Sequence, residues 1–169
     1  GIMDDDVVSI SNLGRQVLYT EKEDGQSKAI CAARRLQSLN GEINITPYPT
    51  RLTKDNADGI ISRYDLVVDG CDNHITRYII SDTCLRLKKP YVYAAIGGFH
   101  GQVAVLCHGK NAATYRTLFP DEEAMCALQA EKGVIGTTPA IVGGFATNEV
   151  LKLIIGYGEA LINRLWHID

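Results

Sequence analysis

A chain of 169 residues, 46% of them hydrophobic and 22% charged, can build one domain with a real core. A formal net charge of −3 gives no electrostatic reason to expect nucleic acid or an anionic membrane as the main partner. No apolar run approaches the roughly 18–20 residues of a membrane span.

Residues 1–3 read as the end of a strand already under way, which predicts an N-terminally incomplete chain. No signal peptide precedes the first motif. Asp4, Asp5 and Asp6 follow. An acidic residue at the end of the second strand of a nucleotide-binding α/β fold commonly holds ribose hydroxyls, and a solvated acidic turn is the alternative. Residues 9–16 form a polar loop in which Asn12 and Arg15 can bind phosphate oxygens, Arg15 in a fork geometry. After Asp24 and Gly25 a helix is expected, with Ala29, Ala32, Ala33, Leu36 and Leu39 on one face. Lys28 falls in its first turn, where a cation suits the helix dipole poorly unless an anion is near. A short strand over 43–45 and a short helix over 53–62, with Ala57, Ile60 and Ile61 inward, complete this part.

The stretch over 65–73 (Asp-Leu-Val-Val-Asp-Gly-Cys-Asp-Asn) is the centre of the reading. Leu66, Val67 and Val68 are apolar on every residue, the mark of a parallel strand buried on both faces. Ligands bind at the carboxyl ends of such strands. Asp72 there suits a metal ion or a phosphorylated ligand, although Asp72 or Asn73 could equally cap the next helix. That helix is predicted over 75–87, with Ile79, Ile80, Cys84 and Leu87 buried. A strand over 91–96 is joined to one over 102–106 by a turn too short for a crossover, so the two should be antiparallel. Residues 108–138 lack periodicity and read as one long crossover loop. A helix over 139–155 and a last strand over 165–168 follow. The five cysteines (Cys31, Cys71, Cys84, Cys107, Cys126) never form a Cys-x-x-Cys pair, which predicts reduced thiols in the cytoplasm. The fold class expected is α/β: a Rossmann-like, mostly parallel sheet in a single domain, helices on both faces, antiparallel strands toward the C-terminal end.

Several motifs then line up in one order: Asp4-x-Asp6, Ser11-Asn12-Leu13-x-Arg15-Gln16, Gly25-x-x-Lys28, and Asp69-x-x-Asp72-Asn73 with Arg77. Gly101-Gln102-Val103, Gly133-Val134-Ile135-Gly136 and Asn148-Glu149-Val150-x-Lys152 complete the set. Over nearly its whole length the chain resembles the ThiF/MoeB/HesA family, bacterial relatives of ubiquitin-activating enzymes. The resemblance implies an adenylyltransferase that uses ATP and Mg²⁺. Its substrate would be the C-terminal Gly-Gly of a ubiquitin-like sulfur carrier in thiamine or molybdopterin synthesis, and the enzyme would be a homodimer. Carried over by motif, Asp4 would bind the ribose, Asn12, Arg15 and Lys28 would hold the triphosphate, and Gln16 would belong to the same ATP site. Asp72 would bind Mg²⁺ beside Asn73, and Arg77 would shape the carrier-tail channel or lie on the surface.

Three departures from the family pattern stand out. The strand and Gly-rich turn that open the family are absent, which predicts a partial ATP site. The place of the first zinc-binding Cys-x-x-Cys is held by Thr114-Tyr115-Arg116-Thr117, which predicts no zinc. Cys126, the one cysteine near the family's carrier-linking position, sits seven residues before Gly133, while Gln129 holds the usual offset. Cys126 is either a nucleophile activated by Lys132 or a nearby helix N-terminus, or an incidental thiol. The competing functions are a non-catalytic truncated homologue that binds a carrier or dimerises, and a relative adenylating a peptide or a tRNA-linked amino acid. The net charge disfavours tRNA. A nicotinamide-dependent dehydrogenase would leave Asp72 and the Asn12–Arg15 loop unexplained.

Overall fold

In the computed structural model, which describes residues 1–128 and 133–169, short apolar runs pair into a two-stranded and a four-stranded sheet. The chain falls into two units, Gly1–Leu52 and Thr53–Asp169.

In the first unit, β1 (Ile2–Met3) pairs in parallel with β2 (Pro47–Tyr48), and α1 (Lys28–Leu39) packs on both. The second strand thus forms at 47–48 and not at the expected 43–45. Ile2 N–H donates to Thr46 O and Asp4 N–H to Tyr48 O, which fixes that register. Ala29, Cys31, Ala32 and Ala33 of α1 are buried, but Leu39, expected inward, is 69% exposed. Small residues on the first two turns let the helix pack against the strands.

A second strap holds the start of α1. Val8 N–H donates to Gln26 O, Gly25 N–H to Val8 O, and Lys28 N–H to Asp6 O. Gly25 adopts a φ of 78°, the left-handed region glycine enters without strain.

In the second unit, β3 (Val67–Val68) pairs in parallel with β4 (Tyr91–Gly97). Strands β4, β5 (His100–Leu106) and β6 (Leu165–Ile168) then run antiparallel in turn. The parallel pairs therefore lie early in the chain and the antiparallel ones late, as expected. Strand β3 is not buried on both faces: Val68 is 49% exposed, because β3 is the edge of this four-stranded sheet.

Alternation along β4 and β5 separates two buried faces. Val92, Ala94 and Val103 pack with Val142, Phe145 and Ala146 of α6 (Thr137–Ile155), and Phe145 stacks on Trp166 at 4.2 Å. The crossing is close enough that a Cβ on Gly101 would lie 2.3 Å from Val142 Cγ2. Glycine at 101 is therefore a packing requirement. Tyr91 and Tyr93 point to the other face, toward α3 (His74–Leu87).

Helix α3 is buried nearly all round, from Arg77 to Cys84, and packs on α2 (Ala57–Ile61), whose Ala57 and Ile61 are buried. The segment expected as one long loop contains two short helices, α4 (Tyr115–Leu118) and α5 (Glu122–Ala127). Four and six residues are too few for a readable period, but both carry caps. Thr114 accepts from Thr117 N–H in a capping box, and Asp121 accepts from Ala124 N–H.

Candidate functional site

Two groups of side chains carry the sequence motifs, one in each unit. In the first unit the strap between residues 6–8 and 25–28 brings the acidic run against α1. Lys28, 7% exposed, donates from Nζ to Asp6 Oδ2 at 2.9 Å. Asp6 is thus the anion that a lysine at a helix N-terminus requires. Asp4, half-buried, accepts Asp6 N–H at 2.9 Å, and burial raises its carboxyl pKa, a shift opposed by that hydrogen bond and by Lys28. Burial and the nearby Asp4 push the Tyr19 phenol up to about 12.

Asn12 closes a 3₁₀ turn (Ile10–Asn12), and its carbonyl accepts from the N–H groups of Arg15 and Gln16. Arg15 is held lightly, by one bond from Nη1 to Ser11 O at 3.2 Å. Among the described residues, Gln16 Oε1 is a buried side-chain acceptor without a partner. An orphaned acceptor in this turn fits a ligand that brings N–H or O–H donors, as ribose does.

In the second unit the turn after β3 is organised by Asp69, which the sequence reading quoted in a motif but gave no role. Asp69 is 5% exposed and accepts four hydrogen bonds. Oδ1 takes Cys71 N–H and Cys71 Sγ–H, both at 2.9 Å. Oδ2 takes Arg77 Nε–H at 3.0 Å and Tyr91 O–H at 2.8 Å. Arg77 also donates to Cys71 O at 2.6 Å and lies 5.7 Å from the Tyr93 ring centre. It is 7% exposed, which excludes the surface position considered for it. Burial together with the Asp69 carboxylate drives the Cys71 thiol well above its usual range.

Asn73 is the helix cap: its Oδ1 accepts Thr76 N–H at 2.9 Å. That resolves the choice between Asp72 and Asn73 and leaves the exposed Asp72 carboxylate with one weak contact, Asn73 Nδ2 at 3.4 Å. A free hard-oxygen ligand on a fixed turn is what a divalent cation coordinates. Next to it His74 Nδ1 meets Tyr115 Oη at 2.6 Å. Burial, then Arg77, lowers the His74 pKa. Neither His74 nor Tyr115 was singled out from sequence, and their separation of 41 residues left no local signal.

Cys126 is half-buried in α5 beside α3. Burial raises the Tyr78 phenol, and the neighbouring Cys126 and Glu122 add to it. Arg116 forks onto Asp82 at 2.9 and 2.8 Å, reaches Glu122 at 2.7 Å and covers the Tyr78 ring at 4.9 Å, tying α3, α4 and α5 together. Gln129 and Lys132, weighed as alternatives and activators for this thiol, lie outside the described residues. No helix among the described residues is long and apolar enough to cross a membrane.

The chain is 45% identical over its whole length to the sulfur carrier protein adenylyltransferase of Thermus thermophilus, of which it covers 65%. It is 39% identical to the adenylyltransferase and sulfurtransferase MOCS3 of Culex quinquefasciatus, again along its whole length, and covers 39% of that protein. The chain thus spans less than two thirds of the curated relatives it matches. The crystal structure of E. coli MccB with ATP superposes with a TM-score of 0.83 at 20% identity, over 98% of this chain and 51% of that one. It shares the fold. Residues 1–169 match the description "ThiF family" throughout, and the chain belongs to that family.

Proposed function

We propose that this protein uses ATP to adenylate the C-terminal glycine of a ubiquitin-like sulfur carrier, in the service of thiamine or molybdopterin synthesis. The relative named as a sulfur carrier protein adenylyltransferase supports the substrate class. The carrying observation is the Asp72 turn: an exposed carboxylate at the end of a parallel strand, released from capping by Asn73.

In this reading a carrier carboxylate oxygen attacks the α-phosphorus, the bond to the bridging oxygen of the β-phosphate breaks, and pyrophosphate leaves with that electron pair. Asp72 would hold Mg²⁺, which when bound would neutralise charge on the phosphate oxygens. Asp4 accepts from the ribose hydroxyls. Arg15 and Lys28 supply cations to the phosphates, Arg15 from a side chain held by a single bond, with Asn12 beside them and the orphaned Gln16 Oε1 open to a ribose hydroxyl. Cys126 is a candidate thiol for a later carrier link. The reading extends to a homodimer in the cytoplasm.

Pyrophosphate exchange into ATP, dependent on a carrier ending in Gly-Gly, tests the reaction. Asp72→Ala is expected to reduce exchange at least a hundredfold, and full exchange in that variant would remove the Mg²⁺ assignment. For Cys126, a carrier adduct cleaved by reductant and absent from Cys126→Ser would assign the link to this thiol, and an adduct unchanged in that variant would remove it from the mechanism.

A further inference from the structure

The residues on either side of Asp72 are immobilised by different means, and only one of them is a helix cap. Asn73 is fixed by its bond to Thr76 N–H. Cys71 is fixed at three atoms: its N–H and Sγ–H on Asp69, and its carbonyl on Arg77 Nη2. Arg77 closes the ring, because its Nε holds the same Asp69 carboxylate that Tyr91 holds from β4. Asp69, Arg77 and Tyr91 are buried and Cys71 and Asn73 half-buried, whereas Asp72 between the two fixed neighbours is exposed.

From this geometry we infer that Arg77 is a positioning residue for the Asp72 carboxylate, acting through the Cys71 carbonyl and Asp69 to hold a preformed cation ligand. The inference rests on the reading of Asp72 as a Mg²⁺ ligand. Outer groups that orient a metal ligand typically change metal affinity by about 10–100-fold when altered. The planar fork of arginine is essential to the arrangement: a lysine ammonium at 77 keeps the charge but cannot meet both Asp69 Oδ2 and Cys71 O in the same directions.

The test titrates Mn²⁺ against the full chain in the presence of ATP, read by electron paramagnetic resonance, with Asp72→Asn defining the part of binding that depends on Asp72. Arg77→Lys is expected to weaken that part about tenfold. In the exchange assay it should raise the Mg²⁺ concentration for half-maximal rate by a similar factor, with kcat recovered at saturating Mg²⁺. A purely structural role would lower the amount of active protein and leave both metal constants in place. Tyr91→Phe, which removes one of the four bonds on Asp69 and keeps the ion pair, serves if Arg77→Lys does not fold; about a threefold loss is expected. Mn²⁺ affinity within twofold of the parent protein in folded Arg77→Lys, or in Tyr91→Phe where that variant replaces it, overturns the inference. Binding unaffected by Asp72→Asn instead overturns the Mg²⁺ assignment itself, so the two failures are distinct.

Discussion

The acid–base pairs of the two units, Lys28–Asp6 and Arg77–Asp69, look alike in sequence and differ in kind. Both join a cation on a helix to an aspartate at a strand end, at 2.9 and 3.0 Å. Asp69 is closed off, with a side chain 0% exposed and both oxygens doubly bonded, and Arg77 is 9% exposed. Asp6 has a side chain 69% exposed, so only the Lys28 half of that pair is dry. One pair is part of the core and fixes a turn. The other is open to water, leaving its lysine able to exchange a carboxylate for another anion. The second unit thus holds its turn rigidly, and the first leaves its cation adaptable.

Asp69→Ala should break this contrast most severely. It strands a buried guanidinium and removes the acceptor for Tyr91 O–H and Cys71 N–H, a loss of roughly 3–5 kcal/mol read by urea unfolding at neutral pH. A cost below about 1 kcal/mol would mean that water reaches the network and that the Asp72 turn is not rigid. Asn73→Ala tests the other anchor of the same turn. Losing an N-cap costs about 1 kcal/mol, visible as a fall of about 3 °C in the thermal midpoint, and Asp72-dependent Mn²⁺ binding should weaken with it.

Much of this was legible in the sequence. The continuous apolar run of β4 and the short turn to β5 prescribed a buried antiparallel pair, and the pair is there because alternate residues meet α6 and the Arg77 side of α3. The Asp72–Asn73 turn was found from its place after an apolar run. Its supporting ring was not, because Asp69, Arg77 and Tyr91 come together from a strand end, a helix and a neighbouring strand. Burial of an ion pair leaves no local pattern. The same holds for α4 and α5, which are too short for periodicity and are held by Arg116 across to Asp82. Strand β2 was misplaced for a simpler reason: Ile43 and Ile45 alternate like a strand, but the ladder to β1 forms at Pro47 and Tyr48.

A smaller effect separates the turn by pH. The His74 pKa lies below its ordinary value because of burial and then Arg77, so the folded state binds this proton less readily than the unfolded chain. The stability this contributes is complete above the ordinary histidine value of about 6.5 and is lost as pH falls through the lowered one. Urea midpoints should therefore decline on acidification below about 6.5, and His74→Phe should flatten that decline. An unchanged slope would take His74 out of the acid response.

The least costly substitution expected is Asp6→Ala, and it is the sharpest check on the contrast. Removing an exposed partner leaves Lys28 Nζ accessible from the side that Asp6 occupied, with Asp4 close enough to influence the same charge. Screening at such a site keeps the loss below about 1 kcal/mol, and added salt should shrink it further. If Lys28 is held for exchange, the freed ammonium should meet the triphosphate at least as well as before, so ATP half-saturation in the exchange assay should stay level or fall. A loss as large as that of Asp69→Ala, insensitive to salt, would show instead that Lys28 needs Asp6 as Arg77 needs Asp69. The first unit would then be as rigid at its lysine as the second is at its arginine.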